Sequence, residues 1–252
     1  MRSATEPRSD FDEASGVGAA ASTWFNFWSR PARIHVGDRH LHARYRVTIE
    51  EFLAAVPEPK GKRVLDYGCG EALAAPRLAG AGMDVLLYDR SPYLHQRVSA
   101  RYARSPGIKV IDDDALSELP DGSVDFMLVC SVIQYLDRAE LGALVRLAKR
   151  VLKSGGVLAL ADIIPNDLDT LSDTIDFLRY SVRYRFFFSA LRTLFDMAAT
   201  NYRSHLREND LARYDMKALA ELLREHGFRT SVASRNIGIS RARKTILAAA
   251  AA

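Results

Sequence analysis

Apolar stretches alternate with helix-forming, glycine-stopped segments through most of this chain, and that rhythm predicts its architecture. Residues 63–66 run through Val64 and Leu65 straight up to the carboxylate of Asp66, as a short buried strand does, and 72–78 continue with helix formers. A second strand is predicted over 84–88, ending at Asp89, then a helix over 92–102 and a third strand over 108–111. Residues 126–130 (FMLVC) form a fully apolar fourth strand. Over 138–152 the apolar positions Leu141, Leu144, Val145, Ala148 and Val151 recur at helical spacing. Residues 153–156 (KSGG) read as a helix end and turn, and 157–161 as a fifth strand. After a break, 216–226 is an amphipathic helix with Gly227 as its C-cap, and 230–234 and 244–249 are strands. Strand and helix in strict succession imply an α/β fold. The expected form is a three-layer α/β/α sandwich around a mostly parallel seven-stranded sheet.

Two regions depart from the rhythm. Residues 1–22 are polar, then small, and predict a mobile tail. Residues 23–60 form an aromatic and basic arm with both tryptophans, Trp24 and Trp28. It leads into a helix over 45–55 that Pro57 and Pro59 end. Its aromatics are too apolar to be left in water, so the arm is expected to pack on the body or cover a pocket. The remaining residues, 61–252, form the main domain, with a helical insertion at 166–214. Between Arg179 and Arg207 that insertion has six arginines and one acidic residue, Asp196, interleaved with aromatics. Two readings compete for it: a cap over an acceptor pocket, or an amphipathic segment making peripheral contact with an anionic membrane. The even spread of its apolar residues favours the cap.

Composition narrows the rest. A chain of 252 residues, 48% hydrophobic, can bury a full core. Cys69 and Cys130 have neither metal-ligand spacing nor the makings of a disulfide framework, so no metal is expected and a reducing, cytoplasmic setting is. No signal peptide or membrane-spanning run is visible. A net charge of +4 is mildly basic and does not by itself argue for nucleic acid.

The chemistry concentrates at 63–73, RVLDYGCGEAL, where Gly68 and Gly70 allow a tight turn between strand and helix. Such a junction suits a nucleotide-type ligand, with backbone N–H groups at the helix start facing it. A dinucleotide fingerprint would place a third glycine where Leu73 stands. An acidic residue followed by Gly-x-Gly instead resembles the first motif of the class I S-adenosylmethionine-dependent methyltransferases. Asp89, 21 residues beyond Gly68, stands where such a family holds a ribose diol, with Arg90 beside it. Asp114-Ala115, with LSELPDGSVDFMLVC after it, resembles the family's adenine-binding region, and LAKRVLKSGGVLALAD its structural helix, turn and strand. The resemblance covers about 63–162 and weakens on both flanks.

It implies S-adenosylmethionine as cofactor. Asp66, Gly68, Cys69 and Gly70 would then serve the methionine end and Asp89 the ribose. Asp114 would accept from the adenine amino group and the Ala115 N–H would meet a ring nitrogen, with Asp113 the neighbouring choice in the acidic triplet. Asp112 reads as part of a solvated acidic loop. Cys130, Ser131 and Tyr135 would line the methyl-transfer region, with Cys130 as a buried filler. Asp89 could alternatively cap the next helix, a job Ser91-Pro92 would also suit. For a general base the candidates are His40 and His42 on the arm and Tyr135 after the fourth strand.

The function implied is methyl transfer to a small-molecule, lipid-like or sugar-linked acceptor. An RNA methyltransferase is the first alternative. Against it, SVIQYL replaces the Asn/Asp-Pro-Pro-aromatic motif of base-amino methylation, and no RNA-binding module is appended. An NAD-dependent oxidoreductase conflicts with Leu73. A non-catalytic protein of the same fold is the third alternative.

Overall fold

The computed structural model describes residues 38–185, 187 and 211–251. The predicted tail, Trp24 to Trp28 and most of the arginine-rich insertion lie outside the described residues.

The elements follow in the order α1 (Asp38–Ala55), β1 (Arg63–Tyr67), α2 (Ala75–Gly80), β2 (Asp84–Tyr88), α3 (Pro92–Tyr102), β3 (Ile108–Val110), α4 (Asp113–Ser117) and β4 (Val124–Cys130). After a single 3-10 turn (Ile133–Tyr135) come α5 (Arg138–Val151), β5 (Leu152–Ile163), α6 (Thr170–Arg183), α7 (Met216–Glu225), β6 (Phe228–Val232) and β7 (Lys244–Ala250). The seven strands form one sheet in the order β3-β2-β1-β4-β5-β7-β6. All pairs are parallel except those made by β7, which runs antiparallel to both β5 and β6.

Period-2 alternation within wholly apolar strands explains the three layers. Leu65, Leu86, Met127, Val129, Leu158 and Leu160 face one side, where α4, α5 and α7 bury Leu116, Leu144, Val145 and Leu223 against them. Val64, Val85, Leu87, Leu128 and Ala159 face the other, under Ile49 and Phe52 of α1, Leu78 of α2 and Val98 of α3. Helix starts are capped as their sequences allow. Ser91 accepts from the Leu94 N–H, and Asp137 and Glu140 form a reciprocal capping box on α5.

Several boundaries differ from the sequence reading: β4 begins at Val124 rather than 126, and β6 spans Phe228–Val232 rather than 230–234. Helix α1 begins at Asp38, nearly two turns before 45, because Ala43 and His40 find a partner in α6. The 153–156 segment is strand rather than turn. It is the start of β5, made irregular by a register shift opposite Val124/Phe126. There Asp125 is buried at the sheet's amino end, accepting from the Arg63 N–H at 2.9 Å and from Lys153 Nζ at 2.7 Å. Helix α2 starts only at Ala75, after four residues of loop beyond Gly70.

The insertion leaves the sheet at one point. Pro165 bridges Tyr214, the Tyr214 N–H donates to Ile164 and the Asn166 N–H to Tyr214, so both ends of the excursion are tied beside the carboxyl end of β5. In between, α6 packs Phe177, Tyr180 and Tyr184 against Ala43 and Val47 of α1.

Candidate functional site

The carboxyl ends of β1, β2 and β4 open into a cavity of about 810 Å³, the size and place expected for a ligand in an open α/β sheet. Its floor is the turn after β1. Gly68 and Gly70 have φ of +76° and +57°, conformations that a side chain would strain. A Cβ on Gly68 would lie 2.5 Å from Val132 Cγ2, and one on Gly70 would fall on the Tyr45 hydroxyl. The glycines therefore let β4's following loop and α1 close onto the turn.

The turn's N–H groups are not left for a ligand, contrary to the sequence expectation. Those of Gly68 and Cys69 donate to the Tyr88 carbonyl at 2.8 and 3.0 Å. The Gly70 N–H donates to Asp89 Oδ2 at 2.8 Å and the Glu71 N–H to the Tyr45 hydroxyl at 2.7 Å. Tertiary partners have taken these donors, and what the turn offers a ligand is shape and carboxylates. Asp89 is not the cap of α3; Ser91 is. Each Asp89 oxygen accepts one backbone N–H, from Gly70 and from Ser91, which leaves acceptor capacity toward the cavity it lines. Asp66 lines the same cavity and is buried. Desolvation, with the nearby Asp89 charge adding to it, raises its carboxyl to about 7. Arg90, also on the lining, pairs with Glu140 at 2.8 Å.

The acidic triplet settles into one register. Asp112 is exposed, as a solvated loop residue would be, and is also the N-cap of α4, accepting from the Ala115 N–H at 2.9 Å. That bond occupies the donor expected for a ring nitrogen, and neither Asp114 nor Ala115 is on the lining. Asp113 is, held by the Tyr88 hydroxyl at 2.6 Å. The helix cap rotates Asp113 inward and Asp114 away, so Asp113 replaces Asp114 as the acid facing the cavity.

At the end of β4, Cys130, Ser131 and Tyr135 all line the cavity. Burial pushes the Cys130 thiol up to about 12 and the Cys69 thiol well above its ordinary range, so neither is a nucleophile near neutral pH. Burial also raises the Tyr135 hydroxyl. Of the histidines, His40 is buried edge-on to Phe177 and Tyr180, with ring centroids at 5.5 and 6.3 Å. His42 is exposed. Neither lines the cavity, so the structure removes both as bases at this site.

A polar network that sequence reasoning did not find stands behind Ser131. Arg44 of α1 lines the cavity and donates to Ser131 Oγ at 2.9 Å, and that hydroxyl donates to Asp162 Oδ2 at 2.5 Å. Asp162, buried at the carboxyl end of β5, also accepts from Arg243 Nη1 at 3.0 Å and from Asn236 Nδ2 at 3.2 Å. Burial works to raise this carboxyl, but Arg243 and Arg44 overcome it and hold it below the usual range. Ser131 and Asp162 have φ of +56° and +57°, a strained backbone kept where two strand ends meet one network. Arg243 continues to Asp173 of α6 at 3.5 Å, linking the insertion to the cavity wall. The available signals were an acid closing the fifth strand and an arginine within the basic run of the arm.

A family model described as a methyltransferase domain matches residues 65–160, the segment that builds this cavity floor. Over this segment the chain is similar to the class I S-adenosylmethionine-dependent methyltransferases. It is 30% identical over 129 residues to a ubiquinone biosynthesis O-methyltransferase of Xanthomonas axonopodis pv. citri, covering 49% of this chain and 52% of that one. It is 29% identical over 211 residues to a malonyl-[acyl-carrier protein] O-methyltransferase of Pectobacterium atrosepticum, covering 81% and 79%. The chain spans 52% and 60% of the first two curated relatives it matches. Among solved structures, an S-adenosylmethionine-dependent methyltransferase from Aquifex aeolicus superposes with a TM-score of 0.54 at 16% identity, over 90% of this chain and 97% of that one; this is a likeness of fold. S-adenosylmethionine is the cofactor of this methyltransferase family. The donor set fits it: the buried Asp66 and half-buried Asp89 carboxylates suit a sulfonium and a diol, and the Arg44 guanidinium on the same lining suits a carboxylate.

Proposed function

We propose that this methyltransferase-family chain transfers a methyl group from S-adenosylmethionine to an oxygen of a small-molecule acceptor. The observation that carries this reading is the grouping of Asp66, Asp89, Asp113 and Arg44 around one cavity at the strand ends. Asp89 would take the ribose hydroxyls, Asp113 the adenine amino group, Asp66 the positive charge near the methionine end and Arg44 the amino-acid carboxylate. When bound, the cofactor supplies an electrophilic methyl group on a sulfonium, with a neutral thioether as leaving group.

The chain's own part is placement and exclusion of water. Arg44 and Tyr45 of α1, with Val132 and Leu136 after β4, wall the cavity and would hold the acceptor oxygen in line with the methyl group. Tyr135 is the hydroxyl placed to hydrogen-bond that oxygen, and its burial keeps it protonated, so it orients the acceptor rather than acting as its base. An acceptor whose own hydroxyl ionises readily, a phenol or a carboxylic acid, suits a wall that holds no histidine among the described residues. The relatives named as O-methyltransferases support oxygen as the acceptor atom. The insertion at 166–214, beside this wall, is the segment we assign to acceptor selection.

A turnover assay tests this reading. Release of S-adenosylhomocysteine is measured with methyl-labelled cofactor and a panel of phenols, carboxylic acids and lipid-linked hydroxyl compounds. Acceptor-dependent release with label on oxygen is expected. Cofactor binding without turnover of any acceptor, or label on nitrogen or carbon, would contradict it.

A further inference from the structure

The insertion helix α6 is two-faced, and its outer face has no counterpart in the site. Its inner face presents Asp173, Phe177 and Tyr180 to the body, where Tyr180 is buried against α1 and Asp173 meets Arg243. Its outer face carries Leu171, Ile175 and Val182, which are 66%, 38% and 60% exposed. Leu178 fills the remaining position of the same stripe, since these residues recur at helical spacing. Among the described residues, four large hydrophobic side chains are exposed, and three of them are on this helix. That concentration, rather than exposure of any one residue, is the signature of an interaction surface.

Charge indicates the kind of partner. Arg179 and Arg183 flank the stripe and are exposed, and Arg185 follows them, also exposed. The helix's acids are engaged elsewhere. Asp169 caps its start, Asp173 takes Arg243, and Asp176 accepts the Arg241 N–H at 2.8 Å. The outward surface is therefore apolar in the middle and positive at its side and carboxyl end. An apolar stripe bordered by arginines matches the boundary between acyl chains and anionic headgroups, where both halves of the surface are satisfied together.

We propose that α6 is an interfacial helix that docks this protein on an anionic membrane surface through Leu171, Ile175 and Val182, with Arg179 and Arg183 on the lipid headgroups. Because α6 packs on α1, which supplies Arg44 and Tyr45 to the cavity wall, docking would hold that wall close to a surface from which a lipid-like acceptor could be drawn, a step that rests on the proposed function. The sequence reading of the insertion as a cap accounts for the inner face and leaves the outer one unexplained.

The test is vesicle co-sedimentation of the full chain on phosphatidylcholine alone and on an equimolar phosphatidylcholine–phosphatidylglycerol mixture. Partition is expected to be about tenfold or more stronger on the anionic vesicles, and to fall at high salt. R179E/R183E should abolish the preference, and L171S/V182S should weaken binding while leaving the thermal melting curve unchanged, since these positions are exposed. Equal partition to both vesicles, or anionic binding that survives both double substitutions, would overturn the proposal. So would light scattering that shows a dimer broken by L171S/V182S, because the stripe would then cover a second copy of the chain.

Discussion

Asp66 is the residue whose environment makes the sharpest forecast. Its carboxyl sits at about 7 instead of the ordinary 3.8, so the folded protein binds more protons than the unfolded chain between those values. Stability of the ligand-free protein is therefore fully supported below pH 3.8, declines as pH rises toward 7, and levels off beyond it. The span corresponds to a change on the order of 4 kcal/mol. A positively charged ligand reverses the preference, since it favours the ionised carboxylate. The affinity for the sulfonium S-adenosylmethionine, relative to the neutral thioether S-adenosylhomocysteine, should rise through pH 7, and Asp66→Asn should flatten that rise; calorimetry across the pH range measures it. Asp162 makes a second forecast. Removing it leaves Arg44 and Arg243 facing each other without their shared carboxylate, so Asp162→Ala should cost about 3–5 kcal/mol in urea unfolding. A loss under 1 kcal/mol would mean the network is not a stabilising one. These residues also mark where the sequence stopped being informative. Asp89 was legible by its distance from Gly68, whereas Arg44, Ser131, Asp162 and Arg243 are brought together from 87 and 81 positions away. Nothing local announces such pairs. The triplet Asp112, Asp113 and Asp114 was ambiguous for the opposite reason: three identical side chains compete for one cap, and only the helix geometry assigns them.

Among the elements, the buried strands were read best because an apolar run between a turn and a terminal carboxylate has few alternatives. The second strand matches its predicted 84–88 span residue for residue. The start of β5 was misread because its glycines suggest a turn. In the fold Gly156 is there for space: a Cβ would come within 2.9 Å of the Lys153 carbonyl and 3.1 Å of the Asp125 carbonyl. The β1–α2 turn carries a testable version of the same argument. Gly68→Ala meets both a positive φ and the Val132 side chain, and should destabilise the protein by about 2–4 kcal/mol. The Val132→Ala change removes the steric half of that conflict. The double variant should therefore lose less stability than the two single losses added, measured as a double-mutant cycle in urea. Simple additivity would show that Val132 does not press on the turn.

For the molecule as a whole, the five parallel strands and most of the cavity lining fall within 63–163, and acceptor selection is what we assign to the two flanks. Helix α1 supplies Arg44 and Tyr45 to the cavity wall, and α6 packs on α1, so both flanks close on the same side of the sheet. The aromatic arm was expected to pack on the body or cover a pocket; its tryptophans lie outside the described residues, and the part that is described lines the cavity with Arg44 and Tyr45. The central claim, that the cavity is an S-adenosylmethionine site organised by Asp89, is tested most directly by isothermal titration of the full chain with S-adenosylmethionine, S-adenosylhomocysteine and NAD. Saturable one-to-one binding of both adenosyl compounds, no response to NAD, and a loss of about tenfold or more in Asp89→Ala are predicted. Tight binding of NAD with no heat from either adenosyl compound would contradict the account.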